Sequence, residues 1–252
     1  MKKRQHVTFL MYGLSFFIFI AAWHILSAAM NAPLILPPPS AVFKTAVKLC
    51  ALPSFWNDFL ATILRCFISF IISLIFGALL GVVCGLFENI KAFSAFPLAV
   101  IRTTPVVSFI LLALFWFKSS TIPIFVSVLM TFPVMVTAVS TGFEKTDEKL
   151  LNMAKVYAFT KWQIFKFLKI PSVLPFFLTG AVSTFGLTWK VVAAGEVLCL
   201  PKRGAGTLLY TAQVHLETSE VLAVSLLLVA VSFLLEKLFA LCVSLFIRRR
   251  TF

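Results

Sequence analysis

The sequence predicts an all-α polytopic membrane protein with six transmembrane helices. Three observations carry that reading. Of 252 residues, 61% are hydrophobic and 12% charged, with a mean hydropathy of +1.04, which lies outside the range of soluble globular chains. Apolar runs of about 20 residues, the length that crosses a bilayer, recur along the chain. The formal charge of +13 gathers between and beside them: Lys2, Lys3 and Arg4 at the start, Lys145, Lys149, Lys155, Lys161, Lys166 and Lys169 in one loop, and Arg248, Arg249 and Arg250 at the end. An even number of spans puts all three clusters on one side, which the positive-inside rule makes cytoplasmic, both termini included. The charge therefore reports orientation and not a nucleic-acid partner.

The chain reads as one transmembrane domain, 1–252. Its first span, about 7–30, follows a basic tail but is too long for a secretory signal, and no small-residue cleavage site follows it. Leu36-Pro37-Pro38-Pro39-Ser40 is stiff extended chain, with Ser40 placed to cap a surface helix through Val42, Ala46, Val47 and Leu49. The second span, about 60–87, carries Gly77, Gly81 and Gly85 four residues apart. Small residues at that spacing form a groove for close helix packing, within the chain or across a dimer. Arg65, near the outer end, is placed to snorkel. A short inside turn, 88–96, leads to the third span, about 97–117, then Lys118-Ser119-Ser120 turns into the fourth, about 121–142, with a kink expected at Pro133. The fifth, about 174–200, is interrupted by Thr179, Gly180, Ser183, Thr184, Gly186, Thr188, Lys190, Gly195 and Glu196, which suit contact with other helices or an aqueous path better than lipid. The sixth spans about 221–247.

Polar residues inside the spans are the candidates for a translocation path: Arg102, Thr103, Thr104, Ser183, Lys190 and Glu196. A charge at mid-bilayer costs about 2.5–3.5 kcal/mol on insertion scales, so Arg102 should face protein or water, or snorkel to lipid phosphate. Lys190 and Glu196, six residues apart, sit about 120 degrees from a common azimuth. Either each has another partner or the helix breaks near Gly195. An ion pair that fixes packing and a role in passage both fit such residues. The five cysteines show no paired spacing and read as small packing residues. The chain shows no phosphate-binding loop, metal-ligand cluster or nucleophile triad, so neither catalytic residues nor a metal are expected.

The longest polar interruption, Glu144 to Pro171, carries two short amphipathic helix patterns. Thr146 reads as the N-cap of the first, with Asp147 and Glu148 in its first turn and Leu150, Leu151, Ala154, Tyr157 and Ala158 at helical spacing. Thr160 and Gln163 form a capping box for the second, and Pro171 should limit it. Helices this short need a partner surface.

Asn152-Met153-Ala154, then Ala158, then Ile170-Pro171 fall at the spacing of the loop by which ABC importer permeases bind their ATPase. There the family pattern is Glu-Ala-Ala, a glycine, and a hydrophobic-Pro pair. This chain has Asn152 in place of the Glu and Ala158 in place of the Gly, and alanine is sterically disfavoured at positive φ. Leu-Pro-Pro-Pro-Ser after the first span, and Gly204-Ala205-Gly206 after the fifth, resemble the nitrate, sulfonate and taurine branch of the same family. The resemblance implies a type I importer permease in a bacterial cytoplasmic (inner) membrane. It implies a second permease copy, two cytoplasmic ATP-binding subunits that hold the ATP and Mg, and an extracytoplasmic substrate-binding protein. It also implies docking through Asn152, Met153, Ala154, Tyr157, Ala158, Phe159, Thr160, Lys161 and Trp162, and a small solute such as nitrate, a sulfonate, taurine or a vitamin precursor. The alternatives are a gradient-driven transporter or channel, which should show several carboxylates or histidines in the membrane, and a scaffold, which leaves the polar fifth span unexplained.

Overall fold

Helices follow from the apolar runs, since a backbone in hydrocarbon must satisfy its own hydrogen bonds. The computed structural model describes residues 2–250, with side chains for residues 11, 13–15 and 17–245. The basic side chains expected at Lys2, Lys3, Arg4, Arg248, Arg249 and Arg250 lie outside that description. In order the helices are α1 (Lys2–Met30), α2 (Pro39–Cys50), α3 (Pro53–Leu86), α4 (Glu88–Thr103), α5 (Val106–Ala113), α6 (Ile122–Glu144), α7 (Glu148–Val156), α8 (Lys161–Ile164), α9 (Ile170–Cys199), α10 (Ala205–Val214) and α11 (Thr218–Arg250). Among the described residues five stretches are long and apolar enough to cross a membrane, and six if α4 and α5 together count as one.

Several boundaries differ from the sequence reading. The expected third span is broken: α4 and α5 meet at 92°. Pro105 has no N–H and keeps Thr104 extended (ψ 130°). At the end of α4 two hydroxyls bond back to the preceding turn, Thr103 Oγ1 donating to Ala99 O at 3.0 Å and Thr104 Oγ1 to Val100 O at 2.7 Å, a carbonyl that also accepts the Thr104 N–H at 3.1 Å. The expected inside turn 88–96 is helical and belongs to α4. Ser40 does not cap α2; Pro38 holds that position and Pro39 opens the helix, its fixed φ suiting the first turn. The proline loop is instead pinned from outside, by Ser27 Oγ on Leu36 O (2.8 Å), Trp23 Nε1 on Pro37 O (3.1 Å) and Thr218 Oγ1 on Leu34 O (2.5 Å).

Pro171 does not end the second amphipathic helix either. A π-turn at Phe165–Lys169 precedes it, with the Ile170 N–H reaching back five residues to Phe165 O. The extra residue absorbs the proline, and helix runs from Lys161 to Cys199. After the fifth span, α10 (Ala205–Val214) starts within the Gly204-Ala205-Gly206 stretch. Leu200 and Leu216 stop α9 and α10 in the left-handed conformation, at φ 48° and 58°.

The core is the packing of α3, α6 and α9. Built onto Gly77, Gly81 and Gly85, a Cβ would lie 2.7, 2.7 and 2.6 Å from the Cβ atoms of Met135, Val139 and Phe143. Each glycine of α3 thus receives one side chain of α6, and both series advance by four residues. The stripe continues outward as Ser73, whose Oγ lies 2.6 Å from Thr131 Oγ1, and Ser69. The groove is filled by this chain's own α6, and of the two packings open from sequence the structure contains the intrachain one. Against α3 and α9, Phe70, Phe185 and Trp189 form a second cluster with Phe239 of α11.

Candidate functional site

Three groups of residues are the candidates for a functional site. The first is the elbow after α6. Asp147, not Thr146, caps α7, its Oδ1 accepting the Lys149 N–H at 2.8 Å; Thr146 is buried instead. Asp brings a charged acceptor to the position whose φ and ψ are extended. The helix ends with Ala158 at φ 52°. Phe159 N–H reaches Ala154 O (2.9 Å) and Ala158 N–H reaches Lys155 O (3.1 Å), the paired bonds of a left-handed helix stop. Alanine thus adopts the turn that glycine would adopt at lower cost. Thr160 and Gln163 then form the capping box, Gln163 N–H on Thr160 Oγ1 at 3.3 Å and Thr160 N–H on Gln163 Oε1 at 2.8 Å.

The elbow presents an unpartnered apolar face. Val156 is 84% exposed, Tyr157 70% and Trp162 67%. Asn152, Met153, Ala158, Phe159, Thr160 and Lys161 are exposed beside them. Ala154 departs from that set: it is fully buried, a packing residue beneath the surface. Trp162 stacks on Phe165 (5.8 Å, 29°) and Phe165 on Phe143 (6.3 Å, 18°), which ties the elbow to the end of α6.

The second group surrounds Arg102. Its Nη2 donates to Pro133 O at 2.8 Å and to Thr137 Oγ1. The side chain thus turns toward α6, with no carboxylate within ion-pair distance among the described residues. It lines two adjoining cavities. One, of about 580 Å³, lies between α6 and α9, with Thr137, Thr141, Thr179 and Ser183. The other, of about 490 Å³, lies between α4 and α6 and includes Thr103, Ser140, Lys91 and Glu144. Lys91 and Glu144 form an ion pair at 2.7 Å. Arg102 therefore shares one cavity with Ser183 and the other with Thr103, whereas Thr104 lines neither; the hydroxyls of both threonines are held by their own helix. Lys190 is exposed on a separate cavity of about 230 Å³ with Trp189, Ser225 and Ser232.

The third group is closed. Glu196 is fully buried and pairs with Arg65 (2.5 Å), which therefore does not snorkel. It also accepts from Thr62 Oγ1 at 2.8 Å and from the Gly206 N–H at 3.0 Å, while Ala205 N–H donates to Thr62 Oγ1 at 2.8 Å. Each of Lys190 and Glu196 thus has its own surroundings, and α9 is unbroken at Gly195, which packs on Pro123. Sequence reasoning missed Thr62, Lys91, Thr137, Thr141 and Glu144. Thr137 and Thr141 carry a usable signal, hydroxyls four apart in an apolar helix; the α3 partners of Glu196, Thr62 and Arg65, more than 130 residues away, carry none. No group of His, Cys, Asp and Glu that could hold a metal occurs among the described residues.

A family model described as binding-protein-dependent transport system inner membrane component matches residues 7–251. The chain belongs to that family. It is the permease subunit of an ABC importer, and permeases of this family work with an ATP-hydrolysing subunit and a binding protein. This permease is 24% identical to the taurine transport system permease protein of Escherichia coli over 220 residues, 85% of this chain and 80% of that one. It is 28% identical to the formylaminopyrimidine transport permease protein of Halalkalibacterium halodurans over 187 residues (73% and 74%). With the nitrate import permease protein of Synechococcus elongatus it shares 24% over 200 residues (75% and 72%). An amino acid ABC transporter crystallised with histidines superposes with a TM-score of 0.63 at 18% identity, covering 78% of the permease and 94% of that chain. At that identity the likeness is one of fold.

Proposed function

We propose that the permease works as a homodimer, with both termini cytoplasmic, and that the elbow Asn152 to Trp162 docks the ATPase. One observation carries this reading: the second half of the exposed aromatic elbow, from Lys161, runs through the π-turn into α9, so that Trp162 and the polar face of the fifth span belong to one helix. ATP and Mg are held by the partner, and this chain supplies no catalytic group. Closure of two ATPases displaces the elbow. The rod then tilts, and the path beside Arg102, Thr103 and Ser183 changes from one access to the other. The relatives' names offer taurine, nitrate and a pyrimidine precursor as kinds of solute, delivered by an extracytoplasmic binding protein.

Copurification with the ATPase tests the reading. Val156→Asp and Trp162→Asp lie on exposed surface and should release the ATPase and abolish uptake while leaving thermal unfolding unchanged. Retention of a stoichiometric ATPase by both variants would overturn the docking surface. Ala154 is unsuited to this test, because a charge at a fully buried site reports on folding.

A further inference from the structure

We propose that the cavity about Arg102 is an oxyanion-binding site, taking a small solute that carries a sulfonate, nitrate or similar planar or tetrahedral anionic group. The inference rests on the permease reading and specifies which chemistry its path accepts. Arg102 lies within the broken third span, where a cation is costly to hold unless protein, water or a counter-charge surrounds it. Its recorded partners, a carbonyl and a threonine hydroxyl, both accept from the same nitrogen, Nη2. They fix the guanidinium without neutralising it. A fork held by one nitrogen leaves further donors for a second, bidentate acceptor, the geometry that favours oxyanions.

The surroundings suit such a ligand. Thr141 and Ser183 bring hydroxyls to the same cavity, while Thr137 and Thr179 on its wall donate theirs to Pro133 O and Pro175 O, and its volume of about 580 Å³ lies in the range of small-molecule sites. The charged groups near Arg102 are Lys91 and Glu144 in the adjoining cavity, and these neutralise one another at 2.7 Å. One positive charge is left over. A lipid phosphate offers the same chemistry as a soluble anion, so the test must separate the two.

The full-length permease is purified without its ATPase, in a background where the exposed Cys242 and half-buried Cys50 are replaced by serine, and carries Thr179→Cys on the cavity wall. Its labelling rate is measured with sulfonatoethyl methanethiosulfonate, an anion, and trimethylammonioethyl methanethiosulfonate, a cation. We expect the anion-to-cation rate ratio to fall by about tenfold or more when Arg102→Gln is added, as loss of a nearby unit charge requires. Labelling by neutral methyl methanethiosulfonate should be slowed by nitrate or methanesulfonate, and this protection should vanish in Arg102→Gln. Arg102→Lys, which keeps the charge, should retain the rate ratio but lose protection. It serves as the second arm should Arg102→Gln not fold. An unchanged ratio, or protection indifferent to residue 102, overturns the proposal. So does protection by phosphatidylglycerol nanodiscs with none by soluble anions, which would assign the site to lipid. None of these readings involves the elbow, so a failed docking surface and a failed anion site give separate results.

Discussion

Glu196 near the end of α9 accepts the backbone N–H of Gly206 in the first turn of α10 at 3.0 Å. With Thr62 accepting the Ala205 N–H, the first amides of α10 are capped by side chains from two other helices. A carboxylate at a helix start also meets the positive end of the helix dipole. Arg65 completes the arrangement, so a single carboxyl joins α3, α9 and α10.

Breaking this pair from one side should be worse than removing it. Arg65→Met leaves Glu196 buried without its counter-ion, and Glu196→Gln leaves Arg65 likewise; each should cost about 3 kcal/mol or more, the usual penalty for an orphaned buried charge. The double variant should cost less than the sum. Denaturant unfolding of the four proteins in detergent, arranged as a double-mutant cycle, measures the coupling.

Lys91→Ala should behave differently. The Lys91–Glu144 pair is about half exposed on both sides, where solvent screening leaves an ion pair contributing little to stability. A thermal unfolding shift comparable to that of Arg65→Met would contradict the difference in burial.

The glycines separate in the same way. Gly206→Ala would set a Cβ 2.5 Å from Glu196 Cβ and 2.6 Å from Ala193 O, and Gly81→Ala one 2.7 Å from Val139 Cβ and 2.9 Å from Val136 O. Both clash with backbone as well as side chain, and each should lose roughly 1–3 kcal/mol. Gly13→Ala, with nothing within 4 Å inside α1, should gain up to about 1 kcal/mol from helix propensity.

Ala158→Gly should stabilise the elbow. Removing the Cβ at φ 52° relieves a strain of about 1 kcal/mol. The readout is hydrogen exchange at the Phe159 amide, which is bonded to Ala154 O: exchange should slow by about fivefold. Faster exchange would show that the left-handed turn is not the strained point.

Much of this fold is legible in local pattern. Apolar run length gave the helices, and the period of four at Gly77, Gly81 and Gly85 marks a groove without naming what fills it. The capping box at Thr160 is visible because its partners are three residues apart. Elsewhere neighbours in space overrule neighbours in sequence. Arg65 and Glu196, 131 residues apart, each read alone as a charge seeking water, and Pro171 reads as a stop because a π-turn leaves no compositional mark. Leu200 and Leu216 hold left-handed stops that a search for glycine passes over. Around Arg102, the arginine itself was legible as an intramembrane charge, while the hydroxyls that share its cavity come from α6 and α9 and needed the packing to be seen.

The helix from Lys161 to Cys199 has 39 residues, roughly 58 Å at 1.5 Å per residue, with the aromatic elbow at one end and the carboxyl that caps α10 three residues from the other. Events at the two ends of that helix are thereby carried by one continuous element. Under the docking proposed above, thermodynamic reciprocity follows: if grip on the elbow alters how tightly the α10 turn is held, then a visitor at that turn must alter the grip on the elbow by the same factor. Arrival of cargo at that turn would then report itself to the motor without any further messenger.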